Sequence, residues 1–552
     1  MDFKEIIQKI LRDIGIKNIK LEKSKNENFG DLSFACFELA EKEKKNPAEI
    51  AKKIAAKIKS NDWIEKAEAV GPYVNFFMNA EKLSEYASKK IVKKNFGKNK
   101  NKGKILVEHT STNPNASPHV GRARNAFVGD SISRILKFNG FKVETQYLVN
   151  DVGKQIAMLV LAAEKKKEKI SFDELLKLYV EIYAKMVTDA SIEKKVFELL
   201  KKMESGDKKT IKLFEKVCKL AIDGQKEILD ELNIKFNEFV FESKYIKSKK
   251  LDNIIKKLKE KRKIKETDGR IAVNLKKYKL PMKSNYVPLT RANKTSLYLL
   301  RDVAYNIDKL KKAKTNIVVL GEDHKLYFEQ VKSILDILDY EAPKPIFYSF
   351  VLLKSGKMST RKGDVVLLTE FMEQAKEKAK NEILKRNPNI KNKDLEKISK
   401  IIGYGAMKFS ILSVASNKNV IFDWEEALNF EGRSAPYIQY TYVRSKKILD
   451  KLKNIDKSKK IILRESEEIQ LAKKMYEFPE IVNEVSKKFE IHKLANYLYE
   501  LANCFNSFYE NCPVTQEKSK DKKVSRFLLT KAYNNIVENG LSLLGIDVPD
   551  FM

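Results

Sequence analysis

The segment 105–149 constrains this chain more than any other. Residues 105–108 (ILVE) are strand-like. Val128, Ile132, Ile135 and Leu136 form a helical stripe that Asn139-Gly140 stops, and residues 143–149 are strand-like again. A strand, a helix and a second strand within about 45 residues predict a parallel pair, because a parallel connection must carry the chain back across the sheet. An α/β domain with a parallel sheet is therefore expected in this part of the chain.

On either side the pattern changes. Residues 1–100 read as helices with a short strand, an α+β domain. Ile6, Ile7, Ile10, Leu11 and Ile14 make one apolar stripe, and Gly71-Pro72 turns into a strand at 73–77. At Asn46-Pro47-Ala48-Glu49 a helix starts: Asn46 can cap, Pro47 suits the first helical position, and Glu49 stands three after the cap. The polar run 98–104 (KNKNKGK) is the first boundary. A second domain is expected over 101–410, carrying a Lys-rich, mostly helical insertion at about 161–285 that is poor in candidate chemistry. Strand signals return at 317–320 and 346–353. Beyond about 405 helix follows helix, and Leu494, Leu498, Leu501, Phe505 and Phe508 keep a 4-3-4-3 spacing. That is the stripe of a packed bundle helix, so an all-α bundle is expected over 411–552.

Charge narrows the partners. Lys and Arg number 109 against 75 Asp and Glu, a surplus of +34 over 552 residues. A field of this size favours a polyanion, nucleic acid before acidic membrane. Runs such as Lys165–Lys167 read equally well as solvated helix faces. No stretch of 18 apolar residues occurs, which excludes a transmembrane helix. The start MDFKEIIQKILRD lacks the apolar core of a secretory signal, and Cys36, Cys218, Cys504 and Cys512 form no Cys-x-x-Cys pair. A soluble cytoplasmic protein with no membrane partner, disulfide framework or structural zinc is expected.

Two short runs carry candidate chemistry. Pro118-His119-Val120-Gly121-Arg122 lies between a strand and a helix. Gly121 admits a ligand close to the backbone, the helix start offers N–H groups and the positive dipole end, His119 adds a donor and Arg122 a cation. Gly356-Lys357-Met358-Ser359-Thr360-Arg361-Lys362-Gly363 sets three cations between two glycines, suited to clamping phosphates. Taken singly, each run is as easily an ordinary surface turn. No G-x-G-x-x-G or G-x-x-x-x-G-K-[ST] competes with them.

Together and in this order, the two runs resemble the His-x-Gly-His and Lys-Met-Ser-Lys-Ser signatures of class I aminoacyl-tRNA synthetases. The flanks resemble arginyl-tRNA synthetases: Val107-Glu108-His109-Thr110-Ser111-Thr112-Asn113-Pro114, Asn28-Phe29-Gly30-Asp31, Ser296-Leu297-Tyr298-Leu299-Leu300-Arg301-Asp302, Pro436-Tyr437-Ile438-Gln439-Tyr440 with Arg444, and the stretch 494–513 ending in Leu544-Gly545-Ile546-Asp547. The resemblance spans nearly the whole chain. It implies a Rossmann-like catalytic domain at 101–410, an N-terminal domain at 1–100 that touches the tRNA elbow, and a helical domain at 411–552 that reads the anticodon. The implied enzyme is an arginine–tRNA ligase: arginine and ATP, with Mg2+, give arginyl-adenylate and pyrophosphate, and the arginyl group moves to the terminal adenosine of tRNA. The family usually needs bound tRNA for the first step, and the resemblance suggests a monomer.

Residue by residue, the resemblance implies catalytic roles for His119, Gly121, Arg122, Lys357, Met358, Ser359, Arg361 and Lys362, and ATP contacts for His119, Gly121, Gly321, His324 and Lys357. It implies an arginine pocket from Glu108, Ser111, Asn113, Tyr298 and Asp302. Elementary chemistry agrees, since a guanidinium is met best by carboxylates through paired, charge-assisted hydrogen bonds. Tyr298, four residues before Asp302, shares its face if the segment is helical. Glu322-Asp323-His324 invites a metal reading, but no second His stands at ligand spacing, so no metal ligands are assigned. Two positions depart from the pattern: Arg122 replaces the second His, and Thr360 the second Lys, so that Lys357, Arg361 or Lys362 must supply the missing cation. A catalytically weak tRNA-binding relative is the alternative these departures keep open.

Overall fold

Asp2 and Glu5 close a capping box around the first helix, Phe3–Asp13: Asp2 Oδ1 accepts the Glu5 N–H (2.8 Å) and Glu5 Oε2 the Asp2 N–H (3.0 Å). The structure is a computed structural model that describes residues 2–24, 27–164, 170–246, 248–354, 366–455 and 460–552. The buried face of this helix is Phe3, Ile7 and Leu11, with Ile6, Ile10 and Ile14 half-buried beside it. The expected stripe is thus present, with Phe3 extending it at its start.

Two compact units are distinguished: residues 1–96 with 441–479 and 500–537, and residues 97–440 with 480–499 and 538–552. In the first, β1 (Leu21–Lys23), β2 (Leu32–Ala35), β3 (Ile64–Val70) and β4 (Tyr73–Met78) form an antiparallel sheet in the order β1-β2-β4-β3. The Asn46 side chain caps the helix Pro47–Lys57 by accepting the Ala48 N–H at 2.9 Å. Gly30 has a φ of 93°, and a Cβ there would stand 2.8 Å from the Phe76 carbonyl oxygen. Asp31 accepts the Met78 N–H (2.7 Å) and pairs with Lys473 (2.8 Å). The Asn28–Asp31 run is therefore held by its own sheet and a helix of the same unit. Deeper in the helical part, buried Arg526 donates to buried Glu468 at 2.7 Å.

The second unit holds the parallel sheet that 105–149 predicts. β5 (Lys104–Glu108) lies at its centre, and the helix Val120–Phe138 crosses from it to β6 (Lys142–Val149). Val128, Ile132, Ile135 and Leu136 are buried, and Gly140, with a φ of 98°, ends the crossover. Four helices follow, Lys154–Glu164, Phe172–Thr188, Ala190–Ser205 and Lys208–Glu231. Then comes β7 (Glu238–Phe241), which pairs in parallel with β6. After the helix Lys249–Glu260, β8 (Ile264–Thr267), β9 (Arg270–Asn274) and β10 (Tyr286–Pro288) form a small antiparallel sheet. The mostly helical reading of 161–285 holds, but it is incomplete. It missed β7, β8 and β9, four- and five-residue strands too short for alternation to stand out among lysines. The helix Tyr298–Lys312 leads into β11 (Thr315–Gly321), and Lys325–Ile337 into β12 (Lys344–Tyr348); the five strands run β12-β11-β5-β6-β7, all parallel. The strand signal at 346–353 breaks at Ser349-Phe350, because β13 (Val351–Leu353) leaves the large sheet to pair with β14 (Val420–Phe422). In the helix Ile491–Asn511, Leu494, Leu498, Leu501, Phe505 and Phe508 are all fully buried.

Candidate active site

The chain leaves β5 toward β6 and returns on the opposite side as β11. Two connections that diverge in this way open a crevice beyond the carboxyl ends of the strands, where ligands of doubly wound sheets bind. The residues there are those the two strand ends deliver. His119 stands at the N-terminal cap of the helix Val120–Phe138, and the loop before it is fixed by Val120 N–H to Val366 O (3.2 Å) and Leu368 N–H to Pro118 O (2.8 Å). Burial, then the neighbouring Arg122 guanidinium, hold the His119 ring at about 4, so its imidazole is neutral at neutral pH. Gly121 and half-buried Arg122 occupy the first helical turn, beside the dipole's positive end.

Across the crevice, Gly321 ends β11. A Cβ on it would stand 2.3 Å from Oδ1 of the exposed Asp323 side chain, which would have to turn aside. Glu322 accepts the Ser349 hydroxyl at 2.6 Å, and His324 is exposed, 3.6 Å from Asp323. Asn125 ties the two sides together: its Oδ1 accepts the Thr110 N–H (2.7 Å) and its Nδ2 donates to Val319 O (3.0 Å). The Thr110 bond matters because Thr110 and Ser111 have φ of 70° and 44°, costly for side chains with a Cβ and typical of a loop held for a ligand.

A second group is acidic. Asp302 lies in the first turns of the helix Tyr298–Lys312, one turn from Tyr298, as the spacing predicts. The Tyr298 and Tyr327 rings lie 5.2 Å apart, and the Tyr327 hydroxyl donates to Asp302 Oδ2. Glu242, directly after β7, is buried, and Arg301 Nε donates to its Oε1 at 2.6 Å. Asn150, its amide nitrogen turned toward Glu242, donates to Oε2 at 2.7 Å. Asp151, also buried, accepts the Ser243 N–H at 2.8 Å. Burial raises all three carboxyls. Asp302 reaches about 7 through burial first and the charge of Glu242 second. Arg301 answers Glu242 directly and Asp151 at longer range, while the cation that acts on Asp302 is Lys309. Unlike Glu242, Asp302 keeps partly open surface. Burial of such an excess of negative charge is expensive without a further cation.

Glu108, expected in the arginine pocket, has a partner within the protein. Glu108 is buried at the end of β5, and Lys309 Nζ, itself buried, reaches its Oε2 at 2.5 Å while lying over the Tyr305 ring. Lys309 thus answers its Oε2 inside the protein, and the charge of Glu108 in turn helps to raise the Asp302 carboxyl. Glu108→Gln should leave the arginine KM within about threefold and cost about 3 kcal/mol of stability, by stranding the Lys309 ammonium. Chemical denaturation beside arginine kinetics checks this, and a KM rise without loss of stability would place Glu108 in the pocket. Ser111 spends its hydroxyl on the Leu148 N–H (3.1 Å), and Asn113, half-buried, lies 3.5 Å from Gln155 Oε1. Lys357, Met358, Ser359, Arg361 and Lys362 lie outside the described residues. Sequence reasoning missed Glu242, Asp151 and Tyr327. The signal for the first two was position, since each follows closely on the carboxyl end of a strand.

Residues 86–424 match the family "tRNA synthetases class I (R), catalytic domain", residues 438–552 the "DALR anticodon binding domain", and residues 1–78 the "Arginyl tRNA synthetase N terminal domain". The fold and the first of these matches place the chain among the class I aminoacyl-tRNA synthetases. An arginine–tRNA ligase of Methanocaldococcus jannaschii is 39% identical over 100% of this chain and 98% of its own, and one of Methanosarcina barkeri is 35% identical over 100% and 98%. The arginyl-tRNA synthetase structure from Thermus thermophilus superposes with a TM-score of 0.85 at 25% identity, covering 99% of each chain. The chain belongs to the arginyl-tRNA synthetase family.

Proposed function

We propose that the chain is an arginine–tRNA ligase that works in two steps. An oxygen of the arginine carboxylate attacks the α-phosphorus of ATP, the bond to the β-phosphate breaks, and pyrophosphate leaves. A ribose hydroxyl of the terminal adenosine of tRNA then attacks the acyl carbon, and AMP leaves. Magnesium enters as the counter-ion of the nucleotide phosphates. Among the described residues no three His, Cys, Asp or Glu side chains are grouped as a metal cage.

The observation that carries the reading is the acidic group of Asp151, Glu242 and Asp302 at the carboxyl edge of the sheet, in which Glu242 is paired with Arg301 and Asp302 keeps partly open surface. Asp302 meets the substrate guanidinium, the Tyr298 ring lies beside it, and Glu242 adds charge from behind. Ser111 and Asn113 stand near the α-amino and carboxylate end. His119, Gly121 and Arg122 receive the phosphates, where positioning and charge lower the barrier, and Gly321 and His324 flank the adenosine. By resemblance alone, Lys357, Met358, Ser359, Arg361 and Lys362 complete the clamp on the leaving pyrophosphate. We assign 1–100 to the tRNA elbow, 101–410 to catalysis and 411–552 to the anticodon, in a monomeric cytoplasmic enzyme.

The test is ATP–pyrophosphate exchange with arginine, lysine, citrulline and canavanine, with and without tRNA. Exchange with arginine, and none with lysine or citrulline, is expected. No exchange in either condition would instead favour a tRNA-binding relative without activity. The surplus of +34 also predicts that tRNA affinity falls steeply with salt, by at least about tenfold between 50 and 200 mM. A flat Kd across that range would contradict an electrostatic grip.

A further inference from the structure

Arg124 is a completely buried arginine on the helix that starts beside His119. Among the described residues it forms no ion pair. Its Nη1 donates to Ser349 O (2.8 Å) and Lys418 O (2.7 Å), and its Nη2 to Ala415 O (2.9 Å) and, at longer range, Val414 O (3.4 Å); Nε has no partner. Burial lowers its pKa to about 10, which leaves it charged at neutral pH.

A buried cation with no ion pair, and only the more distant charge of Glu322 to favour it, is expensive, and apolar packing would hold the same space at lower cost. What apolar packing cannot do is satisfy four backbone carbonyls that converge from two other segments. Ser349 lies between β12 and β13, and 414–418 joins the helix Asn392–Leu412 to β14. Ser349 itself donates its N–H to Ser416 O (2.8 Å) and its hydroxyl to Glu322 Oε2 (2.6 Å). The knot therefore joins the helix of His119 to the turn after Gly321. These are the two walls of the nucleotide crevice. β13 and β14 are three residues each, too short to hold this arrangement by their own pairing.

We propose that Arg124 is a positioning residue for adenylate formation, locking the His119 helix and the Gly321–His324 turn at one spacing through Ser349. The inference rests on the arginine–tRNA ligase reading. It predicts a split between binding and chemistry, because the acidic pocket does not pass through this knot.

Arg124→Lys keeps the charge but cannot span the carbonyls, and Arg124→Met removes both. Each should bind arginine, measured by calorimetry without ATP, within threefold of wild type, while kcat for arginine-dependent exchange falls at least thirtyfold. Retained exchange within threefold in a folded variant overturns the proposal. So does loss of arginine binding in parallel with exchange, or failure of both variants to fold, since each marks a purely structural arginine. If the wild type itself shows no exchange, the ligase reading fails instead.

Discussion

Asp302→Asn should raise the arginine KM about a hundredfold or more, because a charge-assisted bond to a buried guanidinium is worth on the order of 3 kcal/mol. The kcat at saturating arginine should change little, since the substitution leaves the phosphate end intact. An arginine KM within threefold of wild type would remove Asp302 from the pocket. The same carboxylate sets a pH dependence. Burial, then Glu242, raise the Asp302 carboxyl to about 7, and only the ionised form pairs with a guanidinium. Arginine affinity should therefore fall as pH drops through 7, and binding near pH 7 should release a proton, visible as a buffer-dependent heat. Without arginine, the folded carboxyl holds a proton that the unfolded chain, with a carboxyl near 3.9, has lost. Stability of the free protein thus declines as pH rises from about 4 to 7 and stays lower above that. Asp302→Asn should raise the apo Tm at pH 8 and leave it little changed near pH 4.

His119→Ala should lower kcat for adenylate formation by about 10²–10³, the scale lost with one donor aimed at developing charge. Arginine affinity should stay within threefold, because the acidic cluster belongs to other elements. The ring is held neutral by burial and Arg122, so wild-type exchange should show no titration of this group between pH 6 and 8. A variant with unchanged kcat would take His119 out of the reaction.

The contrast between Asp302 and Glu108 shows how far reading the chain could go. Tyr298 and Asp302 stand four apart on one helix, a relation set by helical geometry and visible in the residues alone. Glu108 was equally well placed by its motif, yet its partner is Lys309, 201 residues away. Glu242 follows a four-residue strand in a lysine-rich stretch, where no periodicity marks it. Only when β7 pairs with β6 does that carboxylate come to the same sheet edge as Asp151.

Local rules are carried by near neighbours, so the amino-acid order alone settled the parallel β5–β6 unit, the Asn46 cap, the buried stripe of 494–508 and the His119 helix start. Which carboxylate stays available for a substrate is a question of charge balance, and charge acts through space. Lys309 against Glu108, Arg301 between Glu242 and Ser296, and Arg124 among four carbonyls are decisions that distant segments make only once they are packed together.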